Sequence, residues 1–230
     1  MATTIPLHQF EIRYTKILNF SCLIQEAIAP FIPMALNVQV ERENTVNCRY
    51  SLFFQGYFII ITWDRILIIY EGEIKGLNES NSIIEEPFFN LYNKIKELKV
   101  FGNALNCLSN TIIINHTEKK QEDNIKDFCE KYLIKSNIEK IISNPSDATI
   151  ILEKKINEKQ IILQYGPYNG IEDLNNRNVL PQSKDIITQL DKYGEMLDIK
   201  IFEPLKAISF LKYKEHLKMT LDYQNSLWKK

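Results

Sequence analysis

Catalysis starts from a small set of side chains, and this chain holds few of them at useful spacing. His8, His116 and His216 lie on three separate segments, with no HxH or HxxxH pair and no cysteine pair beside them to complete a zinc site. No metal and no cofactor are therefore expected. Cys22, Cys48, Cys107 and Cys129 are widely spaced and form no CxxC motif, which predicts reduced, packed thiols. A fold could bring Cys107 to His116 as nucleophile and base, but the Leu105 and Leu108 neighbours mark Cys107 as a core thiol. Glu85-Glu86 precedes Pro87, where carboxylates favour a helix N-terminus through its dipole. The 7 glycines are too scattered for a phosphate-cradling loop. No catalytic residue is assigned on this basis.

Binding chemistry is better represented. Residues 166–185 are bounded by Gly166-Pro167 and Pro181 and read as a long polar loop, and Asp173 and Arg177 sit in it beside Tyr165 and Tyr168. Stacking and charged hydrogen bonds from that set would grip a peptide or a small polar ligand. Near the end of the chain Leu221 and Trp228 continue an apolar helical spacing, as if to dock on another subunit. These six residues are the expected ligand- or partner-binding positions. The lysines at 94, 96, 99, 154, 155, 212, 214 and 218 mostly have acidic neighbours and read as solvated faces. Tyr50, Tyr57 and Phe58 could stack bases, although their runs are apolar enough to be core.

The elements that must position these residues follow from periodicity. Phe10, Ile12 and Tyr14 alternate with Glu11 and Arg13 as a strand, and Ile17 to Ala29 has helical spacing up to Pro30 and Pro33. Leu36–Val40, Val46–Phe54, Tyr57–Trp63 and Ile66–Tyr70 read as closely connected antiparallel strands, with a turn at Gln55-Gly56. A helix behind Pro87 closes this first lobe, 1–102. A second pass predicts a strand at Thr111–Asn115, a helix near Asn124–Leu133, a hairpin over Ala148–Tyr165 turning at Asn157-Glu158, and a last helix opened by Pro204. Periodicity does not decide between helix and strand for 186–201. The expected fold class is α+β: antiparallel sheets with helices on one face, in two similar strand-helix-meander-helix lobes, 1–102 and 103–230.

The chain has 230 residues, a net charge of -1 and 45% hydrophobic residues. At this size roughly 70% of the surface is buried on folding, enough for one sizeable core or two fused ones. Near-neutral charge gives no overall attraction to nucleic acid or anionic lipid, so nucleic acid is disfavoured and no membrane contact is expected. The start of the chain lacks a secretion signal, and Asp64-Arg65 interrupts the most apolar stretch, which predicts a cytoplasmic protein. Lysine far outnumbers arginine, and isoleucine and asparagine are abundant, a pattern of AT-rich bacterial genomes.

The Phe10-Glu11-Ile12-Arg13-Tyr14 strand, the sheet ending in Trp63 and Tyr70, and the stretch from Ile186 to Phe210 together resemble a sporadically distributed family of uncharacterised bacterial proteins. In that family a second-lobe strand carries an Arg-Tyr-Ile-Asn-like signature; Asn110–Asn115 here lacks the Arg and the Tyr. The resemblance implies a place in mobile or defence gene clusters and supplies no catalytic residues. The expected function is a non-catalytic interaction subunit of a bacterial protein assembly, of the anti-phage type, partnered by another protein subunit or a copy of itself. Two alternatives are an RNA-binding or RNA-processing protein, and a small-ligand sensor with its pocket between the sheet and the last helix.

Overall fold

The computed structural model describes residues 3–79, 82–133, 142 and 145–228. Its first strand, β1 (Thr3–Tyr14), is followed by α1 (Phe20–Ile28) and by four short strands, β2 (Asn37–Glu41), β3 (Arg49–Phe54), β4 (Tyr57–Thr62) and β5 (Arg65–Tyr70). The β3–β4 turn falls at Gln55-Gly56, where Gly56 takes φ +80°, the left-handed backbone that glycine adopts without a steric penalty. The β4–β5 turn is Trp63-Asp64. It is pinned by Tyr14, whose hydroxyl donates to the Thr62 and Arg65 carbonyls at 2.7 and 3.1 Å. A helical stretch from Ile84 to Phe89 then runs into α2 (Asn90–Lys96).

The second half begins with β6 (Ala104–His116) and α3 (Gln121–Tyr132), then the hairpin β7 (Ile150–Ile156) and β8 (Lys159–Tyr168). Two short helices follow, α4 (Ile171–Asn176) and α5 (Lys184–Ile187), before β9 (Gly194–Pro204) and α6 (Phe210–Trp228). All nine strands form one antiparallel sheet in the order β2-β3-β4-β5-β1-β6-β9-β8-β7. The fold class is α+β, but the several sheets expected from sequence are one continuous sheet, because β1 and β6 pair over most of their length.

The sheet's two faces differ. Phe10, Ile12 and Tyr14 of β1 point to the helical side, where they join Phe20 and Ile24 of α1, Leu91, Tyr92 and Ile95 of α2, Phe128 of α3, and Tyr213 and Leu217 of α6 in the main core. The Phe10 ring meets Tyr213 edge-on at 5.0 Å. Each such buried aromatic contributes about 1.5–3 kcal/mol by leaving water. On the opposite face a smaller cluster, Leu7, Ile112, Ile114 and Met196, lies under Tyr168, Leu174 and Leu190. Gly194 opens β9 where a Cβ would come within 2.3 Å of the Asn115 carbonyl oxygen, so only glycine permits that approach.

Three expectations are corrected. Residues 166–185 are not one long loop: β8 runs on to Tyr168, and α4 and α5 fold back over the sheet, with the Gln182 and Ser183 amides donating to the Glu71 carboxylate at 2.7 and 2.8 Å. Pro204 ends β9 instead of opening the last helix, which starts six residues later at Phe210. The strand expected at Thr111–Asn115 extends back to Ala104, because β1 and β9 bond it on both sides despite polar residues at 106, 109 and 110. The undecided stretch 186–201 is helix at its start and strand from Gly194.

Candidate functional site

Cys107 and His116 both lie on β6, nine residues apart, which in a strand is about 30 Å, so they make no nucleophile–base pair. Cys107 is fully buried, and burial pushes its thiol up to about 12. His8 is also fully buried, held between Thr111 Oγ1 and the Tyr213 hydroxyl at 2.8 Å each, and burial lowers it to about 4. It is therefore a neutral structural link between β1, β6 and α6. His116 donates through Nε2 to Thr4 Oγ1 at 2.9 Å, and Thr4 donates onward to Gln189. His216 reaches Glu203 at 3.0 Å, and Lys159 and Lys212 each lie 3.3 Å from the same carboxylate. Burial lowers His216 while Glu203 opposes the shift. Among the described residues no group of three or more His, Cys, Asp or Glu could hold a metal ion.

A cleft of about 450 Å³ opens between the β7–β8 turn, the end of β9 and the start of α6. Its cations, Lys159 and Lys212, are already engaged by Glu203 and Glu215.

The six expected binding residues fall on two sides of the sheet. Tyr165 is in the main core, its hydroxyl 3.3 Å from that of Tyr132, and Trp228 meets its ring at 6.1 Å while donating Nε1–H to Glu195 at 2.9 Å. Leu221 packs against the same core. Tyr168 is in the opposite cluster, its hydroxyl donating to the Leu190 carbonyl at 2.9 Å. Asp173 accepts the Asn169 amide at 2.7 Å, and Arg177 donates to Asp198 at 3.1 Å and to Gln164 at 3.3 Å. Tyr165 and Tyr168 are buried, so the picture of an accessible aromatic loop is corrected: their positions three apart on one strand send them into different cores.

Sequence reasoning missed two accessible surfaces. The first is the edge at β2, which among the described residues has a strand on one side alone. The two-residue β3–β4 turn closes on the Phe54–Tyr57 pair, so the backbone groups of Arg49, Ser51 and Phe53 aim at β2 and are answered by Glu41, Gln39 and Asn37. The N–H and C=O of Val38 and Val40 consequently point away from the sheet. Around this edge Ile32, Met34, Leu36, Val40 and Val46 are exposed, Leu36 at 76%.

The second surface is on the face opposite the main core, beyond the small cluster that α4 and α5 cover; the expected placing of all helices on one face is thereby corrected. Register places Arg49, Thr62, Arg65, Arg13 and Asn106 in one row across five strands, and Phe53, Phe58, Ile69, Gln9 and Asn110 in a row nearer the other end. Phe53 and Phe58 stack at 5.7 Å and belong to neither hydrophobic cluster. Alternation within β3 and β4 was readable from the chain, but which side the helices would cover was not.

No protein-family model matches the chain, and no curated protein matches it.

Proposed function

We propose that the protein is a non-catalytic interaction subunit of a bacterial protein assembly, joined to its partner along the free edge of β2. The observation that carries this reading is an unprotected edge. An edge strand presents unpaired N–H and C=O groups, and proteins that stay monomeric blunt such edges with lysine, proline or a covering element. The other edge, β7, carries Glu153, Lys154 and Lys155. β2 reads Asn-Val-Gln-Val-Glu, without lysine or proline, and is rimmed by exposed Met34 and Leu36. A partner strand laid against Val38 and Val40 would gain main-chain hydrogen bonds while covering that apolar rim. The partner is another protein subunit, a second copy of this chain included. The resemblance carried by Phe10–Tyr14 supports placing the assembly in phage defence, and a cytoplasmic setting belongs to the same reading. No helix among the described residues is long and apolar enough to cross a membrane.

The test is Val40→Pro. Proline removes the outward N–H and leaves the β3-facing bonds in place, a position where edge strands tolerate it. Purification from the native host and light scattering should show the wild-type chain in a larger assembly, and the variant folded but released from it. An unchanged assembly in the variant, or a wild-type chain that is monomeric in its host, would reject the reading.

A further inference from the structure

The chain contains 23 lysines and only 5 arginines, and four of those five, Arg13, Arg42, Arg49 and Arg65, gather at one end of the sheet face opposite the main core. Arginine differs from lysine in presenting a planar fork of five donors matched to phosphate or carboxylate oxygens. Arg49 and Arg65 stand two strands apart, about 10 Å, with Thr62 between them, and Arg13 is paired directly beside Arg65. Arg42, at φ 53° after β2, lines the same cleft of about 330 Å³ with Arg49, Trp63 and Arg65, and Glu41 and Asp64 line it as well.

The carboxylates here hold Arg13 and Arg65 mainly through Nε and leave Arg49 only loosely paired. Glu11, almost wholly buried, takes the Arg13 Nε–H at 2.5 Å and lies 3.7 Å from Arg65. Asp64 holds Arg65 Nε at 3.2 Å. Glu41 is 3.8 Å from Arg49, too far for a hydrogen bond, and Arg49 Nε is buried without a partner among the described residues. About 13 Å along β3 from Arg49, on the same face, the Phe53–Phe58 stack is partly exposed. The centre of the face adds amides, Gln9, Asn106 and Asn110, and the Asn110 Oδ1 is buried and unpartnered.

We infer that this face binds single-stranded nucleic acid: phosphates on Arg42, Arg49 and Arg65, an unpaired base on Phe53 and Phe58, base edges toward the central amides. Forked guanidiniums fit phosphate, aromatic side chains on a sheet stack only bases freed from a duplex, and amides read base edges. An acidic peptide would satisfy the arginines and leave the aromatic pair without a matching π-face. The site lies on the face of the sheet and the proposed protein contact on its edge, so the two stand or fall separately.

Fluorescence anisotropy with a labelled mixed-sequence 12-mer, as RNA, as DNA and as a duplex, tests the inference on the full chain. Single strands should bind in preference to the duplex, and the RNA and DNA arms show whether the 2′-hydroxyl is read. The log–log salt slope should be about -2 for three phosphate contacts. Arg49→Ala should lower that slope by about 0.7, Arg49→Lys should keep the slope but weaken binding, and Phe58→Ala should weaken binding at least fivefold. Lys214→Ala on α6 should leave binding unchanged. Absence of salt-dependent binding at 50 mM salt, or equal binding by the Arg49 and Phe58 variants with folding confirmed by circular dichroism, would overturn it and leave the edge reading standing.

Discussion

His8 on β1 and Thr111 on β6 face each other across the middle of the sheet, Nδ1 to Oγ1 at 2.8 Å, and the Tyr213 hydroxyl closes the other side of the ring from α6. One buried imidazole thus ties the two central strands to the last helix.

That position makes stability depend on pH. His8 is held near 4 in the fold against 6.5 when unfolded, so below 6.5 the unfolded chain takes up a proton that the folded one refuses. Its contribution is complete above pH 6.5 and is lost as pH falls toward 4, by about 3 kcal/mol in all. His116 and His216 are lowered too and act in the same direction. Glu203, held below its ordinary value of 4.5, adds a further loss at lower pH. Urea midpoints measured between pH 7 and pH 4.5 should fall steadily, and His8→Gln should flatten the profile. A pH-independent midpoint above pH 5 would contradict the assignment.

Arg177 is expected to matter for folding. Asp198 is almost wholly buried, with Arg177 at 3.1 Å and Lys200 at 3.4 Å. Removing the guanidinium leaves a carboxylate with one exposed partner, so Arg177→Ala should cost about 1–3 kcal/mol in chemical denaturation. Adding Asp198→Asn should recover part of that loss, because it removes the stranded charge.

How far the sequence was legible depends on where the decisive information lay. Tyr50 and Leu52 alternate with Arg49 and Ser51 within six residues, and that period locates β3, although the strand begins at Arg49 and not at Val46. The Asn157-Glu158 turn was equally local, with Asn157 at φ 54°. β6 was read too short because Asn106, Ser109 and Asn110 break the apolar pattern, and pairing with β1 and β9 overrides them. The arginine row was invisible because Arg13, Arg49 and Arg65 are 36 and 16 positions apart and meet only through strand register. Polar neighbours make Tyr165 and Tyr168 read as loop groups, and apolar helical spacing makes Trp228 read as a docking group, whereas the fold buries both tyrosines and bonds the tryptophan within the chain.

Thiol chemistry should separate the cysteines. Cys22 is exposed, Cys129 is partly covered, and Cys48 and Cys107 are buried. With a disulfide reagent at pH 8, Cys22 should react first and Cys129 more slowly, because burial raises its thiol. Cys48 and Cys107 should react only on unfolding. Rapid labelling of Cys107 in the folded protein would show that its surroundings are looser than described.

The end of α6 is expected to stabilise the fold instead of trailing free. Trp228 donates to Glu195 and lies against Tyr165, so Trp228→Ala should lower stability by about 1–2 kcal/mol and Trp228→Phe by less. Thermal melts of the two variants check this. Melting points equal to wild type would mean that the helix end contributes no packing.

Amide hydrogen exchange at β2 tests the proposed edge contact most directly. In the isolated chain the Val38 and Val40 amides point to solvent and should exchange quickly, whereas Asn37, Gln39 and Glu41, bonded to β3, should be protected. In the assembly purified from its host, Val38 and Val40 should become protected as a partner strand takes up their hydrogen bonds. Exchange at Val38 and Val40 that stays fast in the assembly, with protection appearing only on other elements, would contradict the account.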